Sequence, residues 1–168
     1  MLIPTQEILD RCEGRLNPRG IGILYVTNSP EVAIKEIRAT FNDKVVVAKG
    51  NLTRKIDVID LSNIINLSPF NMLGTSIAPI YQLNKLDLQK IVEDLEQSVQ
   101  GKRRRLEYIP TQFISSLIQT QFDGIKYRST MVKDSKEYNL ALFNKDFVDF
   151  SLDEFEYKTI TSVDYRIV

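Results

Sequence analysis

Histidine is absent from all 168 residues of this chain, and cysteine occurs once, as Cys12. Without histidine there is no Ser-His-Asp triad and no His-dependent acid–base pair. One cysteine and no histidine leave too few ligands for a zinc site. A lone cysteine builds no internal disulfide framework, which fits a reducing compartment. No apolar run approaches the roughly 20 residues of a spanning helix, and no secretory signal is recognisable. The expected location is therefore the cytoplasm, with no membrane as partner. Charge of one sign is lacking as well: 22 Lys+Arg balance 22 Asp+Glu, so no global field draws the chain to nucleic acid or anionic lipid. Whatever chemistry occurs must run on carboxylate, guanidinium, hydroxyl and phenol groups. That restriction favours a good leaving group, which no strong acid has to protonate.

What is present is ordinary in proportion, with 43% hydrophobic and 26% charged residues. The length suits one domain over residues 1–168, large enough to bury a substantial core. Residues 1–20 are turn-rich, with Pro4, Gly14, Pro18 and Gly20. Residues 21–27 read as a buried strand. Ser29 at an N-cap and Pro30 at the first helical position predict a short helix running to about Phe41. Strands are expected over 44–52 and 55–61, whereas Pro69, Gly74 and Pro79 interrupt the stretch 62–85. Leu88, Ile91, Val92, Leu95 and Val99 share one face of a predicted helix over 86–99. Gly101 ends it, and a basic connection follows at 102–105. A further helix is expected over 111–121, turning Phe113, Ile114, Leu117 and Ile118 inward. Strands follow near 124–129, 138–143 and 154–168. Strands and helices mix without a regular βαβ rhythm, so the class is α+β.

The chemistry-bearing residues cluster early. Arg15 lies in a loop with Gly14, Asn17, Pro18 and Gly20; Tyr25 lies in an apolar strand; Glu36 lies in the short helix. A guanidinium suits planar recognition of phosphate, and the glycines permit close backbone approach. Tyrosine offers a flat face for a ring. A carboxylate can hold a sugar hydroxyl or stabilise a developing cation. Glu36 sits among Ala33, Ile34 and Ile37, on a face that looks buried, where a carboxylate needs a partner or a task. The combination reads as the beginning of a nucleotide site. Each residue also has a plainer reading: a solvated loop cation, a core aromatic, an exposed helix carboxylate. The basic run at 102–105 lacks interleaved aromatics and reads as a solvated loop, so direct nucleic-acid contact is not expected.

Three blocks carry a family resemblance. The first runs from Gly14 through Glu36. The second is Tyr108-Ile109-Pro110-Thr111-Gln112. The third is Phe122-Asp123-Gly124-Ile125-Lys126-Tyr127-Arg128-Ser129-Thr130, followed by Asn139-Leu140-Ala141-Leu142-Phe143. In this order they resemble the RES domain, named after its Arg, Glu and Ser, whose members include the toxins of RES–Xre toxin–antitoxin pairs. The residues matching the family's site are Arg15, Tyr25, Glu36 and Ser129. Thr130 stands where many members carry a second Ser, and Tyr138 precedes Asn139 where Gly is common. RES domains usually have a further strand upstream, and only fourteen residues precede Arg15. The resemblance thus implies either a lost first strand or a piece of a longer protein.

The resemblance also implies a fold akin to the ADP-ribosyltransferase toxins: a split, twisted β core with surrounding helices and NAD in the cleft. The implied activity is cleavage of the nicotinamide–ribose bond of NAD, as a glycohydrolase or phosphorylase that depletes NAD. No bound prosthetic group is implied; NAD is the substrate, with water, phosphate or a protein side chain open as acceptor. The implied protein partner is an Xre-type antitoxin. The implied roles place Arg15 on the pyrophosphate and Tyr25 at the nicotinamide end. Glu36 falls to the ribose hydroxyls or the cationic transition state, and Ser129 to the nicotinamide-side ribose or phosphate. Protein ADP-ribosyl transfer and a non-catalytic nucleotide- or partner-binding domain are the alternatives.

Overall fold

The computed structural model describes residues 13–62, 90, 104–129, 131 and 136–163. The helix expected over 86–99 lies outside them, apart from Lys90, which is helical. In chain order the elements are β1 (Leu24–Thr27), α1 (Pro30–Glu36), β2 (Lys44–Leu52), β3 (Val58–Asp60), α2 (Arg104–Ile118), β4 (Gly124–Arg128), β5 (Tyr138–Leu142), a 3-10 turn (Lys145–Phe147) and β6 (Val148–Thr159). A four-stranded sheet has the order β1-β5-β4-β3, and β2 pairs with β6 in a separate two-stranded sheet. Strands β1, β5 and β4 run antiparallel, while β3 joins β4 in parallel. A parallel pair needs a long crossover, and here it passes through α2. The fold is α+β.

The helix α1 starts as its sequence dictates, with Ser29 at the N-cap in extended backbone and Pro30 behind it. The Ser29 hydroxyl does not cap a backbone amide; it donates to Glu31 Oε2 at 2.9 Å. The helix stops at Glu36 rather than near Phe41. Arg38 adopts a left-handed backbone, φ 53°, which an α-helix cannot continue through. That early stop leaves Glu36 on the last helical turn, beside the four-stranded sheet.

The strand β6 also departs from expectation, spanning Val148–Thr159 rather than 154–168. It pairs along nearly all of β2, with a bulge between Ala48 and Gly50 where the register shifts. A Cβ on Gly50 would collide with the Val148 and Phe150 side chains, so glycine is required there. The bulge breaks the period-2 alternation, which is the signal by which the strand's first half would be read.

In α2 the helix begins at Arg104 and carries Pro110 in its interior, so Arg104 and Arg105 are helical and not part of the basic connection expected at 102–105. Its inward face differs too. Thr111 and Ser115 are buried and Ile118 packs on the core, whereas Phe113 and Leu117 are more than half exposed. The reason is polar, as the site shows: Thr111 and Gln112 are turned inward to donate to a loop. The central core consists of Leu16, Leu61, Ile125 and Ala141, with Ile23, Ile59, Ile118, Tyr127 and Phe143 against it.

Candidate active site

The Arg15 loop is built before it can bind anything. Gly14 N–H donates to the Asn17 carbonyl at 3.0 Å, closing a tight turn around Arg15 and Leu16. Leu16 is 2% exposed and anchors the turn in the core. The buried Asn17 amide works in both directions: Nδ2 donates to the Ile21 carbonyl at 3.0 Å, and Oδ1 accepts from the Tyr25 hydroxyl at 2.9 Å. A Cβ on Gly14 would strike Asn17 Oδ1 and crowd the Tyr25 hydroxyl, so this position demands glycine. From α2, Gln112 Nε2 donates to the carbonyls of Gly14 (2.9 Å) and Asn17 (3.1 Å), and the Thr111 hydroxyl donates to the Arg15 carbonyl (2.6 Å). A loop whose carbonyls are bonded this way holds its guanidinium on a rigid base.

Glu36 is bonded on one oxygen. Ser129 Oγ, at the end of β4, donates to Oε1 at 2.8 Å, and Asn139 Nδ2, from β5, donates to the same oxygen at 2.6 Å. Ser129 and Asn139 are each 6% exposed. Met131 N–H donates to Ser129 Oγ at 3.2 Å, which leaves the hydroxyl proton for Glu36. Oε2 makes no hydrogen bond among the described residues.

A groove of about 1150 Å³ runs between β1, α1 and β5 on one side and the β2–β6 pair on the other. Arg15, Tyr25, Glu36, Tyr127 and Asn139 all line it. The register explains the convergence: Tyr25 lies opposite Ala141, Thr27 opposite Asn139, and Tyr127 opposite Asn139, so Tyr25, Asn139 and Tyr127 share one face of the sheet. The Tyr25 residue stays 41% exposed, but its hydroxyl is turned inward onto the buried Asn17. Burial pushes the Tyr25 phenol well above its ordinary value, against the opposing charge of Arg15. Burial also raises the Tyr127 phenol, reinforced by Tyr25 and Glu36 and opposed by Arg15. Both phenols therefore stay protonated at neutral pH.

Of the four residues expected from sequence, Arg15, Tyr25 and Glu36 line the groove. Ser129 does not; it lies behind Glu36 and touches the groove only through that carboxylate. The sequence reading gave no role to Asn17, Thr111, Gln112, Tyr127 or Asn139. For Asn139 a signal existed, a single amide inside the apolar strand Tyr138–Leu142, where a buried polar group requires a partner. Asp60, also without a catalytic role in that reading, is occupied by Lys126 Nζ at 2.9 Å and by Ser62. Among the described residues no group of three or more Cys, Asp or Glu could hold a metal.

A family model described as RES domain matches residues 5–160, nearly the whole chain. The chain belongs to the RES domain family. No curated protein and no solved structure matches it. The match spans the groove residues from Gly14 in the loop to Asn139 on β5, and membership is consistent with a toxin-like, NAD-related domain. Among the described residues of this RES domain, no helix is long and apolar enough to cross a membrane.

Proposed function

We propose that this RES domain cleaves NAD at the nicotinamide–ribose bond, in the manner of an NAD glycohydrolase or phosphorylase, and depletes the cofactor pool as a toxin. The observation that supports this most is Glu36, held by two buried donors on the wall of a groove it shares with Arg15 and Tyr25. In NAD the nicotinamide is a pyridinium. When the C1′–N bond breaks, its electron pair returns to the ring, which departs neutral without a general acid. That suits a site without histidine. Positive charge then develops on the ribose, as in other glycosyl transfers. A fixed carboxylate beside that sugar stabilises the charge without reorganising.

Arg15 binds the pyrophosphate from its fastened loop, and Tyr25 gives its exposed ring face to the nicotinamide end. Ser129, whose hydroxyl is committed to Glu36, acts through that carboxylate rather than on the sugar. The fold reading that goes with this function is the split β core of the ADP-ribosyltransferase toxins, with the groove between the two sheets as the NAD cleft. No prosthetic group is needed. An activity of this kind in the cytoplasm would poison the cell, so the fitting partner is an Xre-type antitoxin that blocks the groove.

The test is incubation of the purified chain with NAD, with and without phosphate, followed by chromatography of nicotinamide and of the ADP-ribosyl product. Release of nicotinamide is expected. ADP-ribose as product identifies water as acceptor, and a phosphorylated ADP-ribose identifies phosphate. Folded protein that releases no nicotinamide under either condition sinks the proposal.

A further inference from the structure

Asn139 has no role in the reaction as described, yet its bonding is unusual for a strand residue. It sits on β5 between Tyr138 and Leu140, with Thr27 and Tyr127 as cross-strand neighbours. Two residues on, Ala141 is fully buried, as is Leu142. An amide in such surroundings is costly unless it is hydrogen-bonded. Among the described residues its side chain makes one bond, from Nδ2 to Glu36 Oε1 at 2.6 Å. It braces no turn and caps no helix. Its entire side-chain bonding capacity in use goes to one oxygen of one carboxylate.

Ser129 reaches the same oxygen from the neighbouring strand at 2.8 Å. The strands β4 and β5 are paired over five registered positions, from Gly124 opposite Leu142 to Arg128 opposite Tyr138. Two donors on one rigid sheet therefore meet a side chain that comes from the last turn of a helix. A glutamate in free rotation has rotamer entropy to lose on binding. Here the two bonds to Oε1 restrict those rotamers before substrate arrives, and Oε2 carries no hydrogen bond among the described residues.

We propose that Asn139 is a positioning residue for Glu36: with Ser129 it locks Oε1, so that Oε2 is presented at fixed distance to the ribose of the substrate. The proposal rests on the NAD-cleavage reading. It makes the clamp, rather than the carboxylate alone, the unit that generates rate. Its effect belongs in kcat, because a misaimed carboxylate loses contact with the transition state more than with ground-state NAD.

Asn139→Leu keeps much of the side-chain volume and removes the donor; Asn139→Ala removes it without adding bulk. In each folded variant kcat for nicotinamide release is expected to fall about 10- to 100-fold with KM within about twofold, the signature of an interaction used in the transition state. In a Glu36→Ala background the Asn139 substitution should cause no further loss, because its effect passes through Glu36. A second measurement needs no turnover: the side-chain carboxyl 13C resonance of Glu36, assigned by its disappearance in Glu36→Gln, should shift in Asn139→Leu. An unmoved resonance overturns the proposal whether or not the protein is active. So does an unchanged kcat in an active, folded variant, or an equal loss with and without Glu36. Wild-type protein that releases no nicotinamide, with the resonance still shifting, refutes the NAD reading and leaves the clamp standing.

Discussion

Replacing Glu36 by Gln and by Ala separates what its charge does from what its bonds do. In Glu36→Gln the side chain keeps its length, and its carbonyl oxygen can still accept from Ser129 Oγ and Asn139 Nδ2, now 2.8 and 2.6 Å from Oε1. The amide nitrogen then takes the place of Oε2. A negative acceptor facing the groove becomes a neutral donor, which repels the developing ribose cation. Loss of one preorganised electrostatic contact costs about 10²–10³ in rate, or roughly 2.7–4 kcal/mol, so kcat should fall by that factor while NAD binding changes little. Stability should stay within about 1 kcal/mol of wild type, since weaker bonds to a neutral acceptor are offset by no longer burying a charge. Glu36→Ala should be equally inactive but less stable. It strands the buried Asn139 amide and Ser129 hydroxyl, each at about 1–3 kcal/mol before local relaxation. The assays are single-turnover nicotinamide release, calorimetric NAD binding, and urea unfolding of the three proteins. Near-normal turnover in Glu36→Gln would remove Glu36 from the transition state. Equal stability of the Gln and Ala variants would falsify the clamp.

Arg15→Ala should raise KM as well as lower kcat/KM, because a phosphate contact exists in ground and transition states alike; Arg15→Lys should rescue only part, lacking the planar fork. An unchanged KM in Arg15→Ala removes that contact. Gln112→Leu should destabilise the protein by about 1–3 kcal/mol through the two loop carbonyls it abandons, and should raise KM for NAD by loosening Arg15; urea unfolding checks the first, and a KM equal to wild type would refute the second. Stability should decline as pH rises through about 10, the ordinary tyrosine value. The unfolded chain loses its phenolic protons there while folded Tyr25 and Tyr127 keep theirs, so the native state binds more protons. Thermal unfolding between pH 8 and 11 should show a shallower decline in Tyr127→Phe, and an identical pH slope would count against the buried phenol.

The sequence by itself determined the chemistry available and much of the framework. The missing histidines confined the site to carboxylate, guanidinium and hydroxyl groups. Local rules also placed the start of α1 and the strand Lys44–Leu52 where they are found, because caps, prolines and β-branched runs act on neighbours within a few residues. Arg15, Tyr25 and Glu36 were legible as candidates from residue type in local context. Their convergence was not. The donors that hold Glu36 lie 93 and 103 residues away in the chain, and Gln112 fastens the Arg15 loop from 98 residues away. Such bonds leave no periodic trace, since a buried Asn or Gln reads locally as an isolated polar residue. The face of α2 was misread for the same reason. Counting apolar residues turns Phe113 and Leu117 inward, but the loop carbonyls near Arg15 need donors, and Thr111 and Gln112 supply them. Only the packed chain brings donor and acceptor together, so only the tertiary structure decided that Ser129 stands behind Glu36 and that Asn139 stands beside it.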